Sequence, residues 1–214
     1  KGGFCGEKIK FIPSFFELKG QQVCFENKGY ILYFGRISRD KGVHVLLEAI
    51  KVGGIHDPVV IAGESTDGTL GELKDYVSKY SLQNVVFVGF KKGKELEELI
   101  KGAIFTIVPS IWLDNSPMTV LESMAYGKPV IGSDVGGIAE QITDECGVKF
   151  TVGDAVELAH KIKDLLSNPE RIINMGKKGR DRIETYYSSG SHYEALTNIF
   201  SGVFAMGNKF FVFL

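Results

Sequence analysis

The sequence has few cysteines and no long apolar run, and these absences exclude several classes of protein. Its 214 residues include three cysteines without a CxxC pair and four histidines that are equally scattered. A structural zinc site needs closely spaced pairs of such residues, so no metal site is predicted. No run reaches the roughly 18 to 20 apolar residues of a membrane-spanning helix. An odd cysteine count without a secretory leader indicates a reducing compartment, and we expect the cytoplasm or the inner face of its membrane.

An excess of charge of one sign is also lacking. The chain carries 25 Lys and Arg against 26 Asp and Glu, a formal net charge of -1. Because there is no strong overall field, neither nucleic acid nor an acidic membrane is expected as a partner. The composition is 44% hydrophobic, which is ordinary for a globular protein that can bury one generous core. Partners must therefore be inferred from local motifs.

Short apolar runs rich in β-branched residues alternate with stretches of helical periodicity, which is typical of a mostly parallel sheet. We predict strands at 30–34, 59–62, 85–88, 104–108, 129–132 and 147–150. Helices are predicted at 43–51, 70–80, 94–101, 117–126, 155–166, 170–185 and 191–204. The predicted fold class is α/β, a Rossmann-like doubly wound parallel sheet of about six strands. Ligands of such sheets bind at loops that follow the strands, so these loops are the candidate sites.

The ends of the chain differ in composition from this central region. Residues 1–29 are predicted to be an interdomain connector at the end of a missing N-terminal domain, and residues 30–190 to be one binding domain. Residues 191–214 would form a C-terminal helix and an apolar tail. Phe200 is expected to pack in the core, whereas the tail beyond it is rich in phenylalanine. Docking on a preceding domain and a peripheral membrane contact are the alternatives for this tail.

The first chemical motif is Gly-Arg-Ile-Ser-Arg-Asp-Lys-Gly at 35–42, between the first strand and its helix. Gly35 allows close backbone approach, Arg36 and Lys41 supply positive charge, and the following helix adds oriented N–H groups. That chemistry suits a diphosphate. A solvated loop whose cations bind nothing is the alternative, because surface ion pairs contribute only about 0 to 1 kcal/mol.

The second motif extends from 109 to 130 and places two carboxylates around a helix start. Asp114 lies in the loop, Pro117 can begin the helix, and Glu122 lies inside it. A carboxylate can accept hydrogen bonds from vicinal hydroxyls of a ribose or a hexose. Alternatively, Asp114 belongs to a helix cap and Glu122 to a salt bridge.

Taken in order, the motifs resemble a known family. They are Gly-Arg-x4-Lys-Gly, Val-Gly-Phe, Pro-Ser-x3-Asp-x7-Glu-x-Met-Ala-x-Gly-Lys-Pro-Val-Ile and Gly-Gly-x2-Glu. This order resembles the donor-binding domain of the retaining, metal-independent glycosyltransferases with the GT-B fold, the glycosyl transferases group 1. The segment 11–16 is similar to the connector that precedes that domain. The resemblance covers nearly the whole chain and implies the C-terminal half of a GT-B fold.

The resemblance also implies roles for particular residues. Arg36 and Lys41 would hold the diphosphate of a nucleotide sugar, and Glu122 would bind the ribose hydroxyls. Backbone groups after the third strand would contact the base, and Gly136 and Gly137 would pack near the pyrophosphate. The implied substrate-binding residues are Gly35, Arg36, Lys41, Phe90, Lys91, Asn115, Ser116, Pro117, Met118, Thr119 and Glu122.

One position departs from the family pattern. The family usually has Glu-x7-Glu, and this sequence has Asp114 at the first acid. Asp114 is kept as the candidate catalytic residue facing the transferred sugar, although one methylene less can shift sugar preference or lower the rate. The implied reaction transfers a sugar from a nucleotide-diphospho-sugar to a glycan or lipid-linked acceptor with retention. It needs no cofactor or metal, and it requires the missing N-terminal acceptor-binding domain.

Two other functions remain open. A noncatalytic nucleotide-sugar-binding or regulatory subunit would keep Arg36, Lys41 and Glu122 but transfer nothing. A dinucleotide-dependent enzyme would have the same fold class, but it should show GxGxxG after the first strand. The sequence has Gly35-Arg36-Ile37 there, which argues against that class.

Overall fold

The computed structural model describes residues 10–205 and, within them, the side chains of residues 10–201. It has six strands and eight α-helices in the described part, and their order along the chain alternates as predicted. The strands are β1 (Tyr30–Phe34), β2 (Val59–Ala62), β3 (Val85–Gly89), β4 (Ala103–Val108), β5 (Val130–Ser133) and β6 (Gly147–Phe150). The helices are α1 (Val43–Gly53), α2 (Thr69–Lys79), α3 (Lys94–Gly102), α4 (Met118–Ala125), α5 (Gly136–Gln141), α6 (Ala155–Leu166), α7 (Pro169–Tyr186) and α8 (Ser189–Ala205).

The six strands form one parallel sheet in the order β3-β2-β1-β4-β5-β6. Alternate side chains of β1 enter different clusters: Ile31 and Tyr33 pack with α1 and α6, whereas Leu32 and Phe34 pack with α3. Except for the edge strand β3, whose Val86 is 52% exposed, the strands are largely buried on both faces, which explains their nearly continuous apolar sequence. The predicted fold class is therefore confirmed. The order of the strands reverses between β1 and β4, and this is where such sheets bind ligands.

Residues 10–29 contain no helix or strand but are fastened to the domain by backbone hydrogen bonds. The N–H of Phe16 donates to the carbonyl of Tyr187 (2.7 Å), and that of Lys28 donates to Gly102 (2.8 Å). Arg180 of α7 adds side-chain bonds to the carbonyls of Gln21 (2.9 Å) and Ala125 (2.7 Å). We call residues 10–29 the connector. The division of the chain into connector, domain and tail stays a prediction.

Three expectations need correction, and a fourth falls outside the described part. Helix α5 was not predicted, because its six residues begin with two glycines and are too few to show a helical period. Pro117 precedes α4 as its N-cap instead of occupying the first helical position. Phe200 is 41% exposed, so its predicted core position is wrong. The tail at 206–214 lies outside the described residues.

No described helix is both long and apolar enough to cross a membrane.

Candidate functional site

The loop after β1 and the loop after β4 meet at the point where the strand order reverses. The N–H of Ile111 donates to the carbonyl of Asp40 (2.9 Å), and the Ser110 hydroxyl donates to the same oxygen (3.1 Å). Gly42, the N-cap of α1, has φ +69°, and a Cβ built on it would lie 1.8 Å from the carbonyl oxygen of Pro109. Only glycine fits a left-handed position under a neighbouring backbone. The two loops are therefore joined into one surface.

Lys41 and Asp114 are the charged pair that this contact brings together. Their Nζ and Oδ1 atoms lie 2.5 Å apart, although the residues are 73 positions apart in the chain. Their side chains are 23% and 19% exposed, so water screens the pair only in part. Asp114 is therefore not a cap of α4, since the N-cap of that helix is Pro117. A phosphate at this position would compete with the Asp114 carboxylate for the ammonium group.

Arg36 makes a second ion pair in the same loop. Its Nη2 lies 3.0 Å from Oδ2 of Asp40, and the Ser38 hydroxyl donates to the other carboxylate oxygen at 2.5 Å. The bond from Ser38, followed by the charges of Arg36 and Lys41, lowers the pKa of Asp40. The Arg36 side chain is 62% exposed, so most of its N–H donors face solvent. The loop thus presents a guanidinium that is oriented at one end and accessible at the other.

Helix α4 begins beside these loops and carries Glu122. Its first N–H groups, those of Met118 and Thr119, have no carbonyl one turn earlier to bond. The Thr119 side chain lies near Gly35, since a Cβ built on Gly35 would lie 3.7 Å from the Thr119 methyl group. Glu122 is three residues further on the same face. Burial raises the pKa of its carboxyl, and no ion pair involves Glu122 within residues 10–201, so the salt-bridge alternative is wrong.

Helix α5 holds the loop between β4 and α4 from the far side. The N–H of Gly137 donates to the carbonyl of Asp114 at 2.6 Å. A Cβ on Gly137 would lie 2.1 Å from the carbonyl oxygen of Asn115, so no side chain fits between the two backbones. The hydroxyl oxygen of Ser116 accepts a bond from Nε2 of Gln141 at 3.1 Å. The predicted close packing of Gly136 and Gly137 is thus present, and its partner is the 113–115 backbone.

Phe90 and Lys91 lie apart from the other predicted residues. They follow β3, the edge strand, two positions from β1 in the sheet. Phe90 is 57% exposed, and Nζ of Lys91 pairs with Glu95 at 2.8 Å. The link to the site is indirect: the carbonyl of Gly89 accepts from Gly63, and Gly35 donates to Ala62. These two residues line the same edge of the sheet but do not touch the charged loops in the described part.

Sequence reasoning missed several side chains that shape this site. Ser133 was given no role, yet its buried hydroxyl donates to the carbonyl of Ser110 at 2.6 Å and stabilises the loop after β4. Asp40 was quoted within the first motif but given no role. Gln141 carried no sequence signal, because a glutamine after a glutamate in a short helix is unremarkable. Their positions depend on α5 and on loop contacts that no local pattern specifies.

These features define a doubly wound α/β domain of the Rossmann type with cations, carboxylates and a helix N-terminus at its switch point. The family model of the glycosyl transferases group 1 matches residues 14–182. The match covers most of the chain, so the chain belongs to the glycosyl transferases group 1 family. This confirms the predicted membership.

Individual relatives agree with this assignment. The chain is 32% identical over 164 residues to an uncharacterized glycosyltransferase of Methanocaldococcus jannaschii, covering 72% of this chain and 40% of the relative. It is 31% identical over 151 residues to a lipopolysaccharide 1,2-N-acetylglucosaminetransferase of Salmonella typhimurium, covering 66% and 39%. The chain thus spans about two fifths of the length of these relatives.

A solved structure supports the fold. Anabaena HepE in complex with UDP superposes with a TM-score of 0.75 at 21% identity, covering 82% of this chain and 49% of that one. This likeness concerns the fold alone.

Proposed function

We propose that this chain binds the donor substrate of a glycosyltransferase, a nucleotide-diphospho-sugar, at the switch point of its sheet. The observation that carries the proposal is the meeting of Lys41 with Asp114, beside Arg36 and the start of α4. Two cations and free helix N–H groups are the donors that a diphosphate requires. The complex of HepE with UDP supports a nucleotide at such a fold.

Each group has a part in the proposed reaction. Arg36, Lys41 and the N–H groups of Met118 and Thr119 would stabilise the negative charge that develops on the departing nucleotide diphosphate. The Glu122 carboxylate, which is half-buried and has no cation partner among the described residues, would accept hydrogen bonds from the ribose hydroxyls. Asp114 would face the transferred sugar once a phosphate competes for Lys41. Donor binding would thus release Asp114 from Lys41 and give Glu122 hydrogen-bond donors.

The finer parts of the proposal follow from the family resemblance. They are retention of configuration, independence from metal and cofactor, and a glycan or lipid-linked acceptor. A separate acceptor-binding domain is proposed as the partner, since the matched region spans only about two fifths of the length of the relatives. The cytoplasmic location and the peripheral membrane contact stay predictions.

A noncatalytic nucleotide-sugar sensor is the second candidate, and one observation favours it. The acid that would face the sugar is the shorter Asp114, and its carboxylate is held at 2.5 Å by Lys41. A protein that only binds would tolerate this arrangement. Binding of the donor without transfer, even when the acceptor-binding domain is supplied, would establish the sensor.

The test is calorimetric titration of the chain with UDP, GDP, ADP and their sugar conjugates, for wild type, Arg36→Ala and Glu122→Ala. We expect one nucleotide to bind and both variants to weaken it, Arg36→Ala through the diphosphate and Glu122→Ala through the ribose. The 2′-deoxynucleotide separates the ribose contact from the diphosphate contact. Wild type should bind it less tightly than the ribonucleotide, whereas Glu122→Ala should bind the two equally well. If none of the nucleotides binds to this chain or to a longer chain that includes the preceding domain, the proposal is wrong.

A further inference from the structure

Helix α5 contacts the loop between β4 and α4 at two points. In its first turn the N–H of Gly137 donates to the Asp114 carbonyl (2.6 Å), and at its last residue Nε2 of Gln141 donates to the Ser116 hydroxyl oxygen (3.1 Å). The first contact is a backbone bond that many residues could make. The second depends on the glutamine side chain, which is 3% exposed.

The amide oxygen of Gln141 contributes no hydrogen bond to the described fold. Its Oε1 is buried and has no hydrogen-bond partner among the described residues. Burying an acceptor without a donor costs free energy, and an apolar side chain of similar size would avoid that cost. Stability therefore does not explain a glutamine here, whereas its contact with Ser116 does.

The direction of this bond determines what Ser116 can do. A hydroxyl has one proton to donate and lone pairs to accept with. Because Oγ accepts from Gln141, its proton is free, and within the described contacts no acceptor takes it. Ser116 is half-buried and lies two residues before α4, next to the helix N–H groups. A ligand group that only accepts hydrogen bonds, as a phosphate does, matches this free donor.

We propose that Gln141 is a positioning residue that orients the Ser116 hydroxyl toward a phosphate of the nucleotide donor. This inference rests on the proposed function, because it names a contact within the same site. Gln141 does not touch the ligand; Ser116 does. The glutamine thus belongs to the binding site while being less favourable for stability than an apolar residue.

A double-mutant cycle tests the proposal. The variants are Ser116→Ala, Gln141→Met and the double variant, with exposed Gln83→Met as a matched control at the other edge of the sheet. The probes are UDP, GDP and ADP and the corresponding nucleosides, titrated calorimetrically. We expect affinity for the bound diphosphate to fall about tenfold for Ser116→Ala and about fivefold for Gln141→Met. The double variant should fall only about tenfold, because Gln141 acts through Ser116.

Two further readouts separate this role from a structural one. The melting temperature of Gln141→Met should equal or exceed that of wild type, since a buried unpartnered acceptor is removed. Affinity for the nucleoside should not change. If Gln141→Met fails to fold, Gln141→Asn, whose amide is too short to reach Ser116, replaces it in the cycle.

The outcomes are distinct. Three results would each overturn the inference. They are a loss of about fiftyfold in the double variant, which is the product of the two single losses, an unchanged diphosphate affinity in Gln141→Met, and an equal loss of affinity for the nucleoside. Any of these results leaves the proposed function intact if the wild type binds a diphosphate and Arg36→Ala weakens that binding. If wild type binds none of the three diphosphates, in this chain and in the longer one, both proposals fail.

Discussion

Two lysines lie at opposite edges of the sheet and differ in what holds their ammonium groups. Lys41, at the carboxyl edge, pairs with the Asp114 carboxylate at 2.5 Å and has a side chain that is 23% exposed. Lys128, just before β5 at the amino edge, is 2% exposed and donates to the backbone carbonyl of Glu26 at 3.1 Å. The carbonyl is a permanent part of the fold, whereas a phosphate can compete with the carboxylate.

The same contrast holds for other polar groups at the two edges. At the amino edge, Arg180 bonds carbonyls of the connector and of α4, so its donors serve the structure. At the carboxyl edge, Arg36 keeps most of its donors exposed, and Glu122 has no cation partner among the described residues. Polar groups that build the fold are thus saturated by backbone, and those of the candidate site are not. The following experiments test this contrast, beginning with the largest expected effect.

Two glycines flank α1, one at each edge, and both have left-handed backbone. Gly42 would place a Cβ 1.8 Å from the Pro109 carbonyl oxygen, whereas Gly54 has nothing within 4 Å. We expect Gly42→Ala to lower the free energy of unfolding by about 3 to 5 kcal/mol, from strain and the clash together. Gly54→Ala, the matched control, should cost about 1 kcal/mol from strain alone. Urea unfolding measures both, and equal losses would mean that the loops after β1 and β4 are not packed together.

Lys128 should make stability depend on pH. Burial lowers its pKa to about 8, below its unfolded value, so the unfolded state binds more protons above pH 8. Stability should therefore rise with pH from about 8 to 10, by about 2 to 3 kcal/mol, as the penalty for the buried charge is relieved. Lys128→Met should lack this rise. The measurement is urea unfolding of both proteins across that range, and parallel pH profiles would contradict a buried ammonium group.

Lys41 and Lys91 both follow strands at the carboxyl edge, and only Lys41 lies at the switch point. Lys41→Met should weaken nucleoside diphosphate binding about ten- to a hundredfold, the effect of losing a charge-assisted hydrogen bond. Lys91→Met should change affinity less than about threefold, since its ammonium pairs with Glu95 and the proposed base contact uses backbone. Calorimetric titration compares them. A larger loss of affinity for Lys91→Met than for Lys41→Met would show that the phosphates do not bind at the switch point.

Asp40 pairs with Arg36 and would compete with the proposed ligand for it, so removing the Asp40 charge should have a small favourable effect on binding. Asp40→Asn keeps the bond to Ser38 and releases the guanidinium, and we expect diphosphate affinity to rise about two- to threefold. Asp67→Asn is the matched control, because Asp67 also accepts from a serine two residues earlier but has no cation partner in the described part. Weaker binding by Asp40→Asn would show instead that the ion pair orients Arg36 for the ligand.

Much of the fold was predictable because most strands are largely buried on both faces and the long helices that cover the sheet have an apolar face. The bounds of β1, β2, β6 and α6 were predicted to the residue. Helix α5 was not predicted, because Ile138 is its only apolar residue in the described core clusters. Of the candidate site, Arg36, Lys41 and Asp114 were named from sequence, and the structure places them around one loop junction. Whether they bind the donor stays a prediction.

The sequence by itself determined the parallel sheet, the order of its elements and the residue types at its carboxyl edge, because these follow from local periodicity and short motifs. Only the tertiary structure decided which charges meet. Lys41 pairs with Asp114 across 73 positions, and Gln141 reaches Ser116 across 25. Such contacts depend on the crossover that places β4 beside β1 and on glycines that let backbones touch. The residues of one loop do not determine how far away, or in which direction, the neighbouring loop will lie.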